Sequence, residues 1–177
     1  MAKVTLTQMK KYLNSKTDAQ LREEILQLMK LFPNVKEYYA VRVNSDENEI
    51  MEKYKKIIRN EFFPVRGFGK LRYAVMKKAL DDFKKISTNP ASIAELMITY
   101  VESGVEFTNA YGDIDEVFYV KIENMYEKLL AYVSENDLED TYVKRLAEIK
   151  DQCMGIGWEF EDTMMDLYYN YFSDDED

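Results

Sequence analysis

The first residues with types and spacing suited to chemistry are Pro64-Val65-Arg66-Gly67-Phe68-Gly69-Lys70, which hold one of the chain's three prolines and two of its six glycines. Arg66, Gly67, Gly69 and Lys70, with Arg72 just beyond, can expose consecutive backbone amides beside cations immediately before a helix start, an arrangement suited to phosphate or carboxylate. It is not a phosphate-binding P-loop, which needs wider glycine spacing and a hydroxyl after the lysine. A tight turn between two helices accounts for both glycines equally. A second cluster spans Glu102 to Glu116, where Glu102, Glu106 and Asn109 recur at helical spacing and Asp113 and Asp115 follow Gly112. Paired carboxylates of this kind could hold magnesium or act as acid and base. The simpler expectation is that Asp113 caps the next helix, with Glu116 completing a capping box. A third segment sets the only tryptophan, Trp158, beside Glu159, Glu161 and Asp162. There the expectation is a buried indole with solvated neighbours, ahead of a ligand platform.

Histidine is absent. Imidazole is the usual general base at neutral pH and the commonest metal ligand, so a Ser-His-Asp triad, a Cys-His pair and an HExxH zinc site are all excluded. Enzymes built on carboxylates, lysine or tyrosine stay open, but no spacing indicates one. No catalytic residue, metal ligand or cofactor is assigned.

Charge points to a surface. The chain carries a formal −9, yet residues 52–85 contain eleven basic residues against four acidic ones. Such asymmetry suggests a basic face able to take an anion. Tyr54, Phe62, Phe63, Phe68 and Tyr73 lie among those charges, and cations interleaved with rings are what single-stranded nucleic acid binding uses. The expectation preferred here puts Tyr54 and Phe62 in the core and leaves the lysines as a solvated face or paired with acidic helices elsewhere.

The elements that must position these segments are helical. At 177 residues, with 46% hydrophobic and 32% charged content, the chain is long enough for one core and unlike a disordered sequence. Thr5–Gln8 and Thr17–Gln20 read as capping boxes, the second opening a helix that shows Leu21, Ile25, Leu28, Met29 and Phe32 on its core face. After Pro33 comes a short segment, residues 35–43, and Ser45 then caps a helix striped by Ile50, Met51, Tyr54, Ile57, Ile58 and Phe62. Beyond Pro64 the pattern predicts helices over Leu71–Ile86, from Asn89-Pro90 to Gly112, from Ile114 to Val133, over about Asp137–Cys153, and after Gly155-Ile156-Gly157. The last presents Phe160, Met164, Leu167, Tyr168, Tyr171 and Phe172. The prediction is an all-α fold of eight or nine helices in antiparallel hairpins, forming an irregular bundle or short solenoid-like stack. Residues 1–172 are expected to be one domain and 173–177 an acidic frayed tail. No run is long and apolar enough to span a membrane, the start lacks an apolar leader, and the lone Cys153 agrees with a reducing compartment, so the expected location is the cytoplasm.

Glu61-Phe62-Phe63-Pro64 with Arg66-Gly67-Phe68-Gly69-Lys70, Gly104-Val105-Glu106-Phe107-Thr108-Asn109 with Tyr111-Gly112-Asp113-Ile114, and Gly155-Ile156-Gly157-Trp158 with Asp162 resemble the hallmark segments of an uncharacterised bacterial family, a domain of unknown function. The resemblance runs from the Leu6 helix to about Tyr168. It implies a bacterial or phage helical protein and supplies no activity to carry over. The candidate ligand-binding residues are therefore Arg66, Gly67, Gly69, Lys70, Arg72, Glu106, Asn109, Asp113, Trp158 and Asp162. Three functions are weighed: a non-enzymatic helical module binding a protein partner or itself, an anion or nucleic-acid binder using the basic stretch, and a carboxylate or magnesium-dependent enzyme using Glu106, Asp113 or Asp162.

Overall fold

Thr5 and Thr17 both form the capping boxes read from sequence. Each hydroxyl accepts the backbone N–H three residues on, while the glutamine there, Gln8 or Gln20, reaches back to the threonine N–H. They open α1 (Leu6–Asn14) and α2 (Asp18–Leu31) in a computed structural model that describes residues 3–44 and 47–172. Pro33 both stops α2 and starts α3 (Pro33–Asn44), as its fixed φ and missing N–H favour, so residues 35–43 are helical. The chain is all-α, with nine helices among the described residues. The cap expected at Ser45 and the acidic tail 173–177 lie outside the described residues.

Contacts cluster into two compact units, Met1–Asp46 and Glu47–Asp177. In the first, α2 packs on α3 and Tyr12 Oη donates to Glu24 Oε1 at 2.7 Å, tying α1 to α2. Val41 is the one buried hydrophobe among its described residues. The core face expected of α2 is not formed: Ile25, Leu28 and Phe32 are exposed. Three helices in so short a stretch have too little facing area to cover their own apolar stripes.

The second unit holds α4 (Asn48–Phe62), α5 (Tyr73–Ile86), α6 (Pro90–Tyr111), α7 (Glu116–Glu135), α8 (Glu139–Asp151) and α9 (Phe160–Tyr171). Helix α6 is its axis, packing against α4, α5, α7 and α8. Twelve of its 22 residues are buried, more than the one apolar stripe of a surface helix would place inside. Asn89 caps it, accepting the Ala91 N–H, with Pro90 at its first position. Helix α7 buries Phe118, Tyr119, Ile122, Tyr126, Leu129, Leu130 and Val133 and leaves Val117 exposed. Its cap is Asp115, whose Oδ1 accepts the Phe118 N–H at 2.8 Å, and not Asp113 as the sequence suggested. The helix begins two residues later than that reading placed it. Cys153 is fully buried just beyond α8, donating to the Ile149 carbonyl, and burial pushes its thiol up to about 12. At neutral pH it is a small hydrophobe.

Gly104 sets the α6–α7 spacing. A Cβ there would lie 2.2 Å from Ile122 Cδ1, and Ile122 is itself fully buried. Overpacking of that kind costs about 1–3 kcal/mol. Gly104→Ala should therefore lower the thermal midpoint by on the order of 5 °C, and adding Ile122→Val, which removes the clashing methyl, should recover part of the loss in the same melt.

A candidate aromatic interaction surface

The three marked segments meet where α4 and α6 end and α7 and α9 begin. Glu61, in the last turn of α4, is only 3% exposed. Its carboxylate accepts the backbone N–H of Arg72 at 3.1 Å and two guanidinium bonds, from Nε at 2.9 Å and from NH2 at 2.6 Å. This fork-to-fork pair is the strong form of a charge-assisted bond. The Leu71 N–H donates to the Glu61 carbonyl at 3.0 Å, so the loop after Pro64 is drawn back over the end of α4 and caps one of its orphan carbonyls. The fold-back is possible because residue 69 is glycine. A Cβ at that position would stand 2.3 Å from the Phe62 carbonyl oxygen and 2.8 Å from that of Glu61. Gly67 answers a different need, holding φ at +79° in open space.

The loop so placed sets Phe68 against Phe107 and Tyr111, with ring centres 5.1 and 4.7 Å away. Phe107 also touches Phe62, Phe63 and Phe118, and from Phe118 the ring contacts pass to Tyr119 and on to Phe160 and Trp158. Polar bonds brace the same end. Thr108 Oγ1 and Tyr119 Oη lie 2.9 Å apart in a buried pair, and Asn109 Nδ2 donates to the Gln152 carbonyl at 3.0 Å, tying α6 to the turn after α8. Most rings in this relay are interior. Phe63 is half-buried, and Phe68, Tyr111 and Trp158 are exposed to 56%, 51% and 56%. Trp158 is thus not the buried indole that its sequence neighbours suggested. It stacks on Tyr119 at 6.4 Å but is turned outward by left-handed backbone at Trp158 and Glu159, with φ of 63° and 58°, a conformation that costs non-glycine residues roughly 1–2 kcal/mol each.

The remaining candidates fall into place around this surface. Glu106 grips Arg59 through both oxygens, at 2.8 and 3.0 Å, and Arg59 lies over the Phe63 ring. About one and three turns up α6, Glu102 and Glu95 hold Arg145 of α8, and Glu95 also takes Lys55 of α4. The acidic face of α6 therefore serves as a row of sockets for cations on its neighbours. Asp113 Oδ1 is 3.5 Å from the Tyr119 hydroxyl, and Asp162 is exposed in the first turn of α9. Among the described residues no three Cys, Asp or Glu side chains are grouped as a metal ion would require.

Most of the basic stretch is likewise engaged. Lys55, Arg59, Arg72, Lys77, Lys78 and Lys85 sit against carboxylates, and Lys53 and Lys84 lie over the rings of Tyr54 and Tyr132. Arg66 and Lys70 are exposed beside the aromatic surface and make no ion pair among the described residues. Of the two residues that organise this end, Glu61 entered the sequence reading only as part of a hallmark segment, with no role given, and Tyr119 was not singled out. An acid and an arginine bracketing a double-glycine turn, and a tyrosine one turn before Ile122, were the available signals.

The Arg72 guanidinium holds the Glu61 carboxyl below its ordinary value of 4.5. A lowered folded-state value means that this stabilisation is complete above about pH 4.5 and is lost as pH falls through the folded value. Glu61→Gln should destabilise the protein by about 1–2 kcal/mol at pH 7, less than a fully buried pair because Arg72 is more than half exposed. Urea midpoints of variant and wild type should converge as the pH is lowered below about 4.5.

No helix among the described residues is long and apolar enough to cross a membrane. No curated protein and no solved structure matches the chain. The sequence matches one family over residues 2–172, a span that includes all three converging segments, and the chain belongs to that family of unknown function, DUF6155.

Proposed function

We propose that the protein is a non-enzymatic helical interaction module that binds a protein partner through Phe68, Tyr111 and Trp158. The observation that carries this reading is the outward presentation of these three rings from an otherwise interior aromatic relay, with Trp158 kept out by two successive left-handed residues. Backbone strain of this kind persists where the surroundings enforce it and clusters at functional positions. Tryptophan and tyrosine are the residues that dominate interface energetics, since each offers large area at low entropy cost. Arg66 and Lys70 on the neighbouring loop fit a partner segment whose apolar anchor is flanked by carboxylates. The same reading has the protein at work in the bacterial cytoplasm. It is supported by the lone buried cysteine and by the resemblance of its marked segments to a bacterial family.

Peptide display against immobilised protein tests the reading directly. Wild type should enrich peptides with an aromatic or aliphatic anchor beside Asp or Glu. A Phe68→Ala/Tyr111→Ala/Trp158→Ala variant, with unchanged helical circular dichroism, should bind those peptides at least 30-fold more weakly, a loss of about 2 kcal/mol. Peptides that bind the variant equally well would overturn the proposal. So would a concentration-dependent dimer in sedimentation that the same substitutions abolish, since the surface would then serve self-association.

A further inference from the structure

A cavity of about 530 Å³ lies in the second unit between α5, α6 and α7. Its floor is formed by Leu80, Met97 and Tyr100, all buried, with Met125 beside them. Its walls carry Lys77 and Lys84 from α5 and Lys121 and Lys128 from α7. On each helix the two lysines are seven residues apart, two turns on the same face, so each helix lines the cavity with a column of two ammonium groups. Lys84 also reaches across to the Tyr132 ring of α7, which ties the two walls together. Asp81 is the single acid in the lining and it is taken by Lys77. Lys121 and Lys128 make no ion pair among the described residues. In a chain of formal charge −9, four cations gathered around an apolar and tyrosine-lined hollow are not explained by packing.

The electrostatics agree with a site whose four cations outnumber its one acid. Burial, together with Lys128 and Lys77, holds the Lys84 ammonium below its usual value despite Asp81 nearby. Burial keeps the Tyr73 and Tyr100 hydroxyls protonated well above neutrality, which leaves them available as donors at the cavity wall. An anion that bridged the two lysine columns would relieve that mutual repulsion. The cavity lies within the range of roughly 300 to 1,000 Å³ typical of small-molecule sites, and such sites combine an apolar lining with a few convergent charges.

We infer that the hollow between α5, α6 and α7 is a binding site for a small phosphorylated molecule with an apolar or aromatic body. Its phosphates are held by Lys77, Lys84, Lys121 and Lys128, and its body rests on Leu80, Met97 and Tyr100. The lining of the site includes none of Phe68, Tyr111 and Trp158. Two of its lysines belong to the basic stretch noted in the sequence, and two come from α7, where no charge excess was visible.

Calorimetric titration with ATP, inorganic tripolyphosphate and a single-stranded DNA oligonucleotide tests the inference. ATP should bind saturably and more tightly than tripolyphosphate, which lacks the body, and the oligonucleotide should bind neither saturably nor specifically. Lys121→Gln/Lys128→Gln should weaken ATP at least tenfold. Lys78→Gln/Lys85→Gln removes the same charge from lysines paired with Asp82 outside the cavity, and should change affinity less than twofold. Ala74→Trp, which fills the hollow without altering charge, should abolish binding while the protein stays folded by circular dichroism. Failure of wild type to bind either phosphate compound would overturn the inference. Equal weakening by both lysine pairs would also overturn it, by making the attraction diffuse, as would saturable binding of the oligonucleotide alone.

Discussion

The end of α4 is where this molecule commits its most demanding contacts. A helix C-terminus leaves carbonyls without partners and carries a partial negative charge. Here the chain turns back through Gly69, closer to the Phe62 and Glu61 carbonyls than any side chain would allow, and delivers Leu71 and Arg72 to that end. The buried Glu61 carboxylate then fixes the return by three bonds to Arg72. Everything beyond depends on that geometry. Phe68 reaches Phe107 only because the loop is drawn down, and Arg72, as the residue ahead of α5, sets where that helix begins. An ion pair with one buried and one half-exposed member is a modest source of net stability. Its larger effect here is specification, since a free 64–72 loop would have no reason to choose this path.

Helix α6 supplies the second constraint by serving three kinds of neighbour at once. Its apolar residues fill the core, Gly104 lets α7 approach, and Glu95, Glu102 and Glu106 receive cations from α4 and α8. The charge asymmetry along the chain is thus largely internal complementarity across helices. What is left after this neutralisation lies in two places, the Arg66–Lys70 loop beside the exposed rings and Lys121 and Lys128 of α7 at the cavity.

Helical periodicity, the two threonine capping boxes and the Asn89-Pro90 start were legible because they are local, with donors and acceptors a few residues apart. The three special segments were also visible, as glycine-rich breaks among aromatics. Their convergence was not, since it depends on packing between helices 40 to 100 residues apart. Asp113 was taken for the α7 cap because Asp113 and Asp115 both precede the apolar run, and only backbone geometry distinguishes them. The α2 stripe had the periodicity of a buried face, but periodicity shows which residues share a face and not whether enough neighbouring surface exists to cover it. Trp158 was misplaced for a related reason: burial of a tryptophan is a tendency of the residue type, and two left-handed residues reversed it.

Amide hydrogen exchange at Leu71 and Arg72 bears most directly on the central claim, because their N–H groups bond to the Glu61 carbonyl and carboxylate and to nothing flexible. The account predicts that both exchange slowly, within an order of magnitude of the interior amides of α6, while Arg66 and Gly67 in the same loop exchange at rates near those of free peptide. Exchange of Leu71 and Arg72 as fast as Arg66 would show that the loop is not held on α4, and would contradict the rigid convergence of the three segments.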